Sequence, residues 1–282
     1  MKQLPPTIGV VAISYNETQD LPGFLENLLP WIDEIVIVDD GSTDDTAAIA
    51  QAASDKVTFI TSPREDGEYF AQQRNKGIKA AKSDWLLHMD IDERVTPDLA
   101  KEIRQAIKDD TKDGYRYRRL NYFLHRPMRS GGWQDWNMVH LARRHLFHFE
   151  GMFHETCVLD ASEERIGQLN AKMWHLNDTS YRARMRKSMS YCEEQAERIA
   201  KRYRRITWLH LLGLPVYELC RKLLFKRGYR DGTLGLLFAL HSAGAMFRAC
   251  ALVWDQQNGI SRSEIENQMK NMWKQEEIQH EG

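Results

Sequence analysis

A chain that drives an apolar run straight into carboxylates has few folds open to it, and this one does so twice. Trp85-Leu86-Leu87 runs into His88-Met89-Asp90-Ile91-Asp92-Glu93, and Glu34-Ile35-Val36-Ile37-Val38 runs into Asp39-Asp40-Gly41-Ser42-Thr43. A short uninterrupted apolar run reads as a strand covered on both faces, the condition of a parallel sheet. Acid at the end of such strands lies at their carboxyl edge, where open α/β sheets bind ligands. The oxygens of Asp90 and Asp92 suit Mg²⁺ or Mn²⁺, an ion that bridges readily to a diphosphate.

The surrounding periodicity agrees. Strands are expected over 8–14, 34–38, 57–61 and 85–89, and helices over 20–31, from about Thr43, over 69–81 and from Thr96-Pro97, where an N-cap residue precedes a proline. Strand-helix alternation of this kind predicts a mostly parallel sheet. Beyond Gly114 the pattern turns to strands over 115–123, 139–143 and 153–159, with a glycine loop at Ser130-Gly131-Gly132-Trp133. These are expected to extend the same sheet as a mixed one. From about Ser180 the chain reads as helical. The fold class is therefore α/β, a mixed, mostly parallel sheet flanked by helices, with an α/β domain over 1–178 and a basic helical region over 179–282.

Composition limits the alternatives. With 282 residues, 42% of them hydrophobic, the chain has enough apolar matter for a large core, so wholesale disorder is excluded. The net charge of −1 hides an acidic first hundred residues and a basic stretch over 182–230. Cys157, Cys192, Cys220 and Cys250 show neither metal-binding spacing nor disulfide density, which fits reduced thiols in a cytoplasmic compartment. The apolar run after Met1-Lys2-Gln3-Leu4-Pro5-Pro6 reads as a first strand rather than a signal peptide. The apolar segment 234–254 is interrupted by His241 and Arg248, which argues against a membrane span. Aromatic and leucine faces beside Arg204, Arg205, Arg221, Lys222, Lys226 and Arg227 suit helices lying on an anionic bilayer, and a basic helical bundle covering the sheet stands as the equal alternative.

Taken together, Ser14-Tyr15-Asn16-Glu17, Asp39-Asp40-Gly41-Ser42, Gln73-Arg74-Asn75 and Asp90-Ile91-Asp92-Glu93 resemble the inverting GT-A glycosyltransferases of family 2, over roughly residues 7–175. Gly131-Gly132-Trp133, Arg143-Arg144, His154-Glu155 and Gly228-Tyr229-Arg230-Asp231-Gly232 are similar to the bacterial lipopolysaccharide inner-core β-glucosyltransferase type. The resemblance implies a nucleotide-diphosphate sugar donor, UDP-glucose first, and Mg²⁺ or Mn²⁺. It implies donor binding by Ser14, Tyr15, Asn16, Glu17, Asp39, Asp40, Arg74 and Asp90. Asp39 would accept from the base ring N–H and Tyr15 would cover the base face. Asp92 is the first metal candidate, with Asp90 and His154 beside it, and the ion would stabilise the leaving diphosphate.

An inverting transfer needs one carboxylate to take the proton of the acceptor hydroxyl. Asp135 is the first choice, although the family pattern sets its aspartate where this chain has Trp136. Glu155 is second and Glu93, a residue at a strand end, third. Arg116, Arg118, Arg119, Arg126 and Arg129 point to an anionic acceptor such as a core heptose at the inner membrane surface, because guanidinium binds phosphate bidentately. A capsule, exopolysaccharide or polyprenyl-linked glycan is the alternative product. In other classes stand a sugar nucleotidyltransferase and a non-enzymatic membrane scaffold. Nucleic acid is a poor partner for want of a recognition helix or stacking motif.

Overall fold

A computed structural model describes residues 5–151 and 156–280. Its contacts divide the chain into two compact units, 1–180 and 181–282. The first opens with β1 (Ile8–Ser14), α1 (Leu21–Leu28), β2 (Glu34–Asp39), α2 (Thr46–Ala53), β3 (Val57–Thr61), α3 (Phe70–Ala80) and β4 (Trp85–His88). All four strands run parallel in the order β3-β2-β1-β4. The β-branched and leucine side chains of β1, β2 and β4 are buried on both faces, as the uninterrupted runs require, while β3 at the sheet edge is only half-buried. In the register Ser14 stands beside Asp39 and Asp39 beside Thr61, so the polar residues that end each strand share one edge.

The acidic cluster is itself structured: β5 (Glu93–Arg94) is a two-residue strand, followed by α4 (Pro97–Ala106), whose Thr96 Oγ1 accepts from Leu99 N at 3.2 Å. Then come β6 (Gly114–Phe123), β7 (Arg126–Met128), β8 (Asn137–Arg143), β9 (Phe147–Glu150), β10 (Thr156–Leu159) and β11 (Ile166–Asp178). The main sheet continues β4-β8-β6-β11-β5, with β8 antiparallel to both of its neighbours and β6 parallel to β11. Two expectations change. The strand expected over 153–159 is present as Thr156–Leu159 but pairs only with β9, in a separate two-stranded sheet. The thirteen-residue β11, with no counterpart among the expected strands, instead lies inside the main sheet.

The core lies between the sheet and α1 and α4 on one side, built on Leu21, Phe24, Leu28, Trp85, Leu99, Ile103 and Tyr117. A smaller cluster on the other side includes Val11, Val36, Ala71, Ile78 and Phe149. There α3 sits so close to the sheet that a Cβ on Gly77 would meet Val11 Cγ1 at 2.5 Å, so only glycine allows that approach.

The second unit comprises α5 (Tyr181–Ser190), α6 (Cys192–Arg202), α7 (Trp208–Cys220), α8 (Gly232–Asn258) and α9 (Arg262–His280). Cys192, Ala196 and Ile199 of α6 pack with Ala249, Cys250 and Val253 of α8. The Gly-Tyr-Arg-Asp-Gly run forms a tight turn, in which a Cβ on Gly235 would strike Gly228 O at 1.8 Å; the turn therefore closes on the first turn of α8 through paired glycines. By length and composition alone the helical stretch Gly228–Asn258 could cross a membrane, with a mean hydropathy of 1.6 over its most apolar part, a third of which is buried within the fold.

Candidate active site

The loops after β1 and β2 are laced together. Ser14 Oγ donates to Asp39 Oδ1 at 2.7 Å, Asn16 N to Ser42 Oγ at 2.8 Å, Thr43 N to Asn16 Oδ1 at 2.8 Å and Glu17 N to Thr46 Oγ1 at 2.7 Å. Asn16 takes a left-handed φ of 55°, which asparagine tolerates better than most residues. Asp39 is 1% exposed, and its carboxylate also accepts Gly41 N at 3.0 Å, Ser42 N at 2.8 Å and Ser42 Oγ at 2.5 Å. Asp39 thus builds the turn that joins the two loops. Asp40 holds the backbone N–H and the guanidinium of Arg64 at 2.8 Å each. It lines a cavity of about 140 Å³ together with Ser14, Tyr15, Glu17, Phe70 and Gln73. Tyr15 is 56% exposed at this cavity, and Arg64 lies over the Phe70 ring at 4.1 Å.

The motif on α3 points three ways. Gln73 Nε2 donates to Ser62 O at 2.6 Å, and Asn75 clamps the Phe149 backbone by two bonds of 2.8 and 2.9 Å. Arg74 between them reaches Asp90 Oδ1 at 3.2 Å and contacts His88 Nε2. Arg119 of β6 approaches Asp90 Oδ2 at 3.3 Å, pairs with Glu93 and stacks on Trp136 at 4.0 Å. Desolvation pushes the Asp90 carboxyl up, but Arg74 and then Arg119 more than offset it and hold it below the carboxylate range. Two guanidinium groups therefore pair with the residue expected to bind the donor or stand beside the metal. His88 is buried and held well below the ordinary histidine value, first by burial and then by Arg74, so its ring stays neutral.

Asp92 has different company. Its Oδ2 lies 3.2 Å from His175 Nε2, and the other ring nitrogen of His175 bonds Asn121 Oδ1 at 2.7 Å. Asn121 Nδ2 in turn donates to Trp133 O at 3.4 Å, which ties the glycine loop to the acidic cluster. β11 delivers His175 beside Asn121 and Glu93 in the sheet register. His175 and Asn121 went unnoticed in the sequence because β11 did. The negative field around Asp92 shows in Glu17, pushed up to about 7 by burial and then by Asp20 and Asp92.

The remaining candidates separate. Asp135 is exposed on a short turn, 133–135, that follows Gly131 and Gly132, both at positive φ. Glu93, the third base candidate, is 0% exposed, donates no surface to solvent and accepts from Asp90 N at 2.9 Å; burial lifts it to about 7. It is a buried strut at the start of β5. His154 and Glu155 lie outside the described residues. Of the arginines assigned to the acceptor side, Arg116 pairs with Glu163 and Arg119 with the acidic cluster. A second cavity, about 270 Å³, is lined by Asp20, Tyr122, His125, Leu176, Asp178 and Thr179. Its Leu176 N donates to Asp92 O at 2.9 Å, so it adjoins the Asp92 end of the site. Among the described residues, no three His, Cys, Asp or Glu side chains converge as a ready metal cage.

Carboxylates gathered at the edge of a mainly parallel sheet, with a cavity for a flat group beside them, define a ligand-binding α/β enzyme of the open-sheet type. Residues 9–159 match the family described as glycosyl transferase family 2, and the chain belongs to that family, with its GT-A fold. It is 24% identical over 271 residues to an uncharacterized glycosyltransferase of Rickettsia felis, covering 91% of this chain and 94% of the relative. It is also 31% identical over 103 residues to the poly-beta-1,6-N-acetyl-D-glucosamine synthase of Staphylococcus aureus, covering 36% of this chain and 25% of that one. Among solved structures, glucosyl-3-phosphoglycerate synthase of Mycobacterium tuberculosis, in complex with Mn²⁺, UDP and glucosyl-3-phosphoglycerate, aligns at a TM-score of 0.43 and 18% identity, over 61% of this chain and 72% of that one.

Proposed function

We propose that the first unit transfers a hexose from a UDP-sugar to an acceptor hydroxyl with inversion, in the presence of Mg²⁺ or Mn²⁺. The observation that carries this reading is the separation of the two acidic partners. Asp90 is neutralised by Arg74 and Arg119, while Asp92 pairs, among the described residues, with the His175 imidazole and keeps its carboxylate for a cation. One oxygen and one nitrogen donor form a sparse protein set, suited to an ion that takes its other oxygens from a diphosphate. Asn121, bonded to His175 Nδ1, fixes the ring so that Nε2 serves as ligand. Asp92 and His175 would hold the ion, and when bound it offsets charge on the departing nucleoside diphosphate.

The chain's own groups supply the rest. Tyr15 and Phe70 offer flat faces to the base, and Asp40, on the cavity wall, takes the acceptor role expected of Asp39. Arg74 and Arg119 hold the acidic loop in place. Asp135 accepts the proton of the attacking hydroxyl; its turn is tied through Trp133, Asn121 and His175 to Asp92. The acceptor sits in the cavity between Asp20, Tyr122 and Asp178, where carboxylates and an aromatic ring suit sugar hydroxyls. The motif resemblance favours glucose as the donor sugar and a lipopolysaccharide heptose as acceptor, with a capsule, exopolysaccharide or polyprenyl-linked glycan second.

Calorimetric titration of UDP, GDP, ADP and CMP with and without Mn²⁺ tests the donor half. UDP-selective, Mn²⁺-dependent binding lost in Asp92→Ala is expected, and equal binding by that variant would overturn the metal assignment. Asp135→Asn should bind UDP as the parent does while turning over no donor in the presence of acceptor. Release of pyrophosphate from a nucleoside triphosphate and a sugar phosphate would favour a nucleotidyltransferase instead.

A further inference from the structure

The helical unit carries an apolar surface that sugar transfer leaves without a use. Along α7, Trp208, Leu209, Leu212 and Val216 recur at helical spacing, and Trp208 is 67% exposed. Leu224 and Phe225 continue the surface beyond the helix, Phe225 being 71% exposed. Contiguous exposed apolar side chains of this size mark a docking surface. What they dock on is given by charge. Residues 201–230 hold nine lysines and arginines and a single acid, Glu218. That acid is buried, and both its oxygens accept from Arg221 at 2.7 Å. Arg204, Arg205, Arg227 and Arg230 are exposed. The surface is therefore apolar and rimmed by cations, with no exposed carboxylate among these residues. A second copy would bring like charge against like charge.

We propose that this face binds an anionic phospholipid bilayer, with α7 lying in the interface, Trp208, Leu212 and Phe225 among the acyl chains and the arginines at the phosphates. The attachment is interfacial. Although α8 is long enough to span, Ala249, Cys250 and Val253 are buried against α6, whose opposite side exposes Glu193, Glu197 and Arg198. A spanning α8 packed this way would carry those charges into hydrocarbon.

Full-length protein is sedimented with vesicles of phosphatidylcholine alone and of phosphatidylcholine with phosphatidylglycerol, over a salt series. Binding to the anionic vesicles that weakens with salt is expected, and Arg204→Gln and Arg205→Gln should each weaken it about fivefold. Trp208→Ser with Phe225→Ser should abolish it; both side chains are exposed, so circular dichroism should show an unchanged fold. The proposal is overturned if neither vesicle is bound or if the double variant sediments like the parent. It also fails if light scattering shows a dimer that the double variant dissolves, or if release from vesicles needs detergent rather than salt or alkaline wash.

Discussion

The two units of this chain invert each other. In the first, charge is inside: Asp39, Arg74 and Glu93 are buried, each held by named partners. In the second, apolar matter is outside, with Trp208, Leu212 and Phe225 facing solvent. Burying ionised groups is costly unless they are paired, so a region that does so is committed to one arrangement of those groups. Exposing leucine and tryptophan gives up burial energy that a second surface can restore. The contrast teaches that the first unit is organised around what it holds fixed, and the second around what it has yet to cover.

Asp92→Ala strikes the first unit hardest. Transfer should fall on the order of a thousandfold, measured by donor turnover, while the thermal midpoint stays near that of the parent because the Asp92–His175 contact lies partly open to solvent. Arg119→Met should do the reverse damage. It leaves Glu93 and Asp90 short of a partner in a buried site and should cost about 3–5 kcal/mol in urea unfolding. Asn121→Ala, which frees the His175 ring, should weaken Mn²⁺ affinity by roughly tenfold to a hundredfold in calorimetry without that loss of stability.

A pH series sharpens the same contrast. Glu93 is raised to about 7 in the folded protein from an ordinary 4.5, chiefly by burial, so the folded state binds its proton more tightly than the unfolded state. That contribution is complete below pH 4.5 and is lost as pH rises through 7. The parent's unfolding free energy should therefore fall over this interval, and Glu93→Gln should flatten the fall; an equally steep fall in the variant would count against a buried, raised Glu93. The smallest effect belongs to the second unit. Trp208→Ser should alter its unfolding free energy by no more than about 0.5 kcal/mol, since the side chain touches little.

How far the sequence carried the reading depends on whether chemistry and periodicity coincide. Uninterrupted runs such as Ile35 to Val38 announce their strands because both faces are buried, and the acids after them announce the edge. Asp90 and Asp92 were legible as a pair, but their unequal surroundings were not: these depend on Arg119 and His175, which arrive from distant strands. β11 hid because its pattern is broken. Register shifts between Gln168 and Lys172, and again between His175 and Asp178, interrupt the alternation, and its buried Leu169 and Met173 are spaced as if on a helix. The strand expected over 153–159 was assigned to the main sheet because a four-residue strand carries too little pattern to say which sheet it joins. The exposed face of α7 was visible in outline, since its leucines and aromatics stand among arginines in the sequence itself.

The reversal of β8 has a consequence for how such an enzyme can change. Strands running forward present their carboxyl ends to the acidic edge, so each residue there is locked to the register of its neighbours. β8 runs backward, so the loop that precedes it, with Asp135, reaches the same edge from the other end of a strand. Lengthening or rewriting that loop leaves every parallel register untouched. A lineage built on this plan can rewrite the inbound side of the site while the outbound strands keep the other side unchanged.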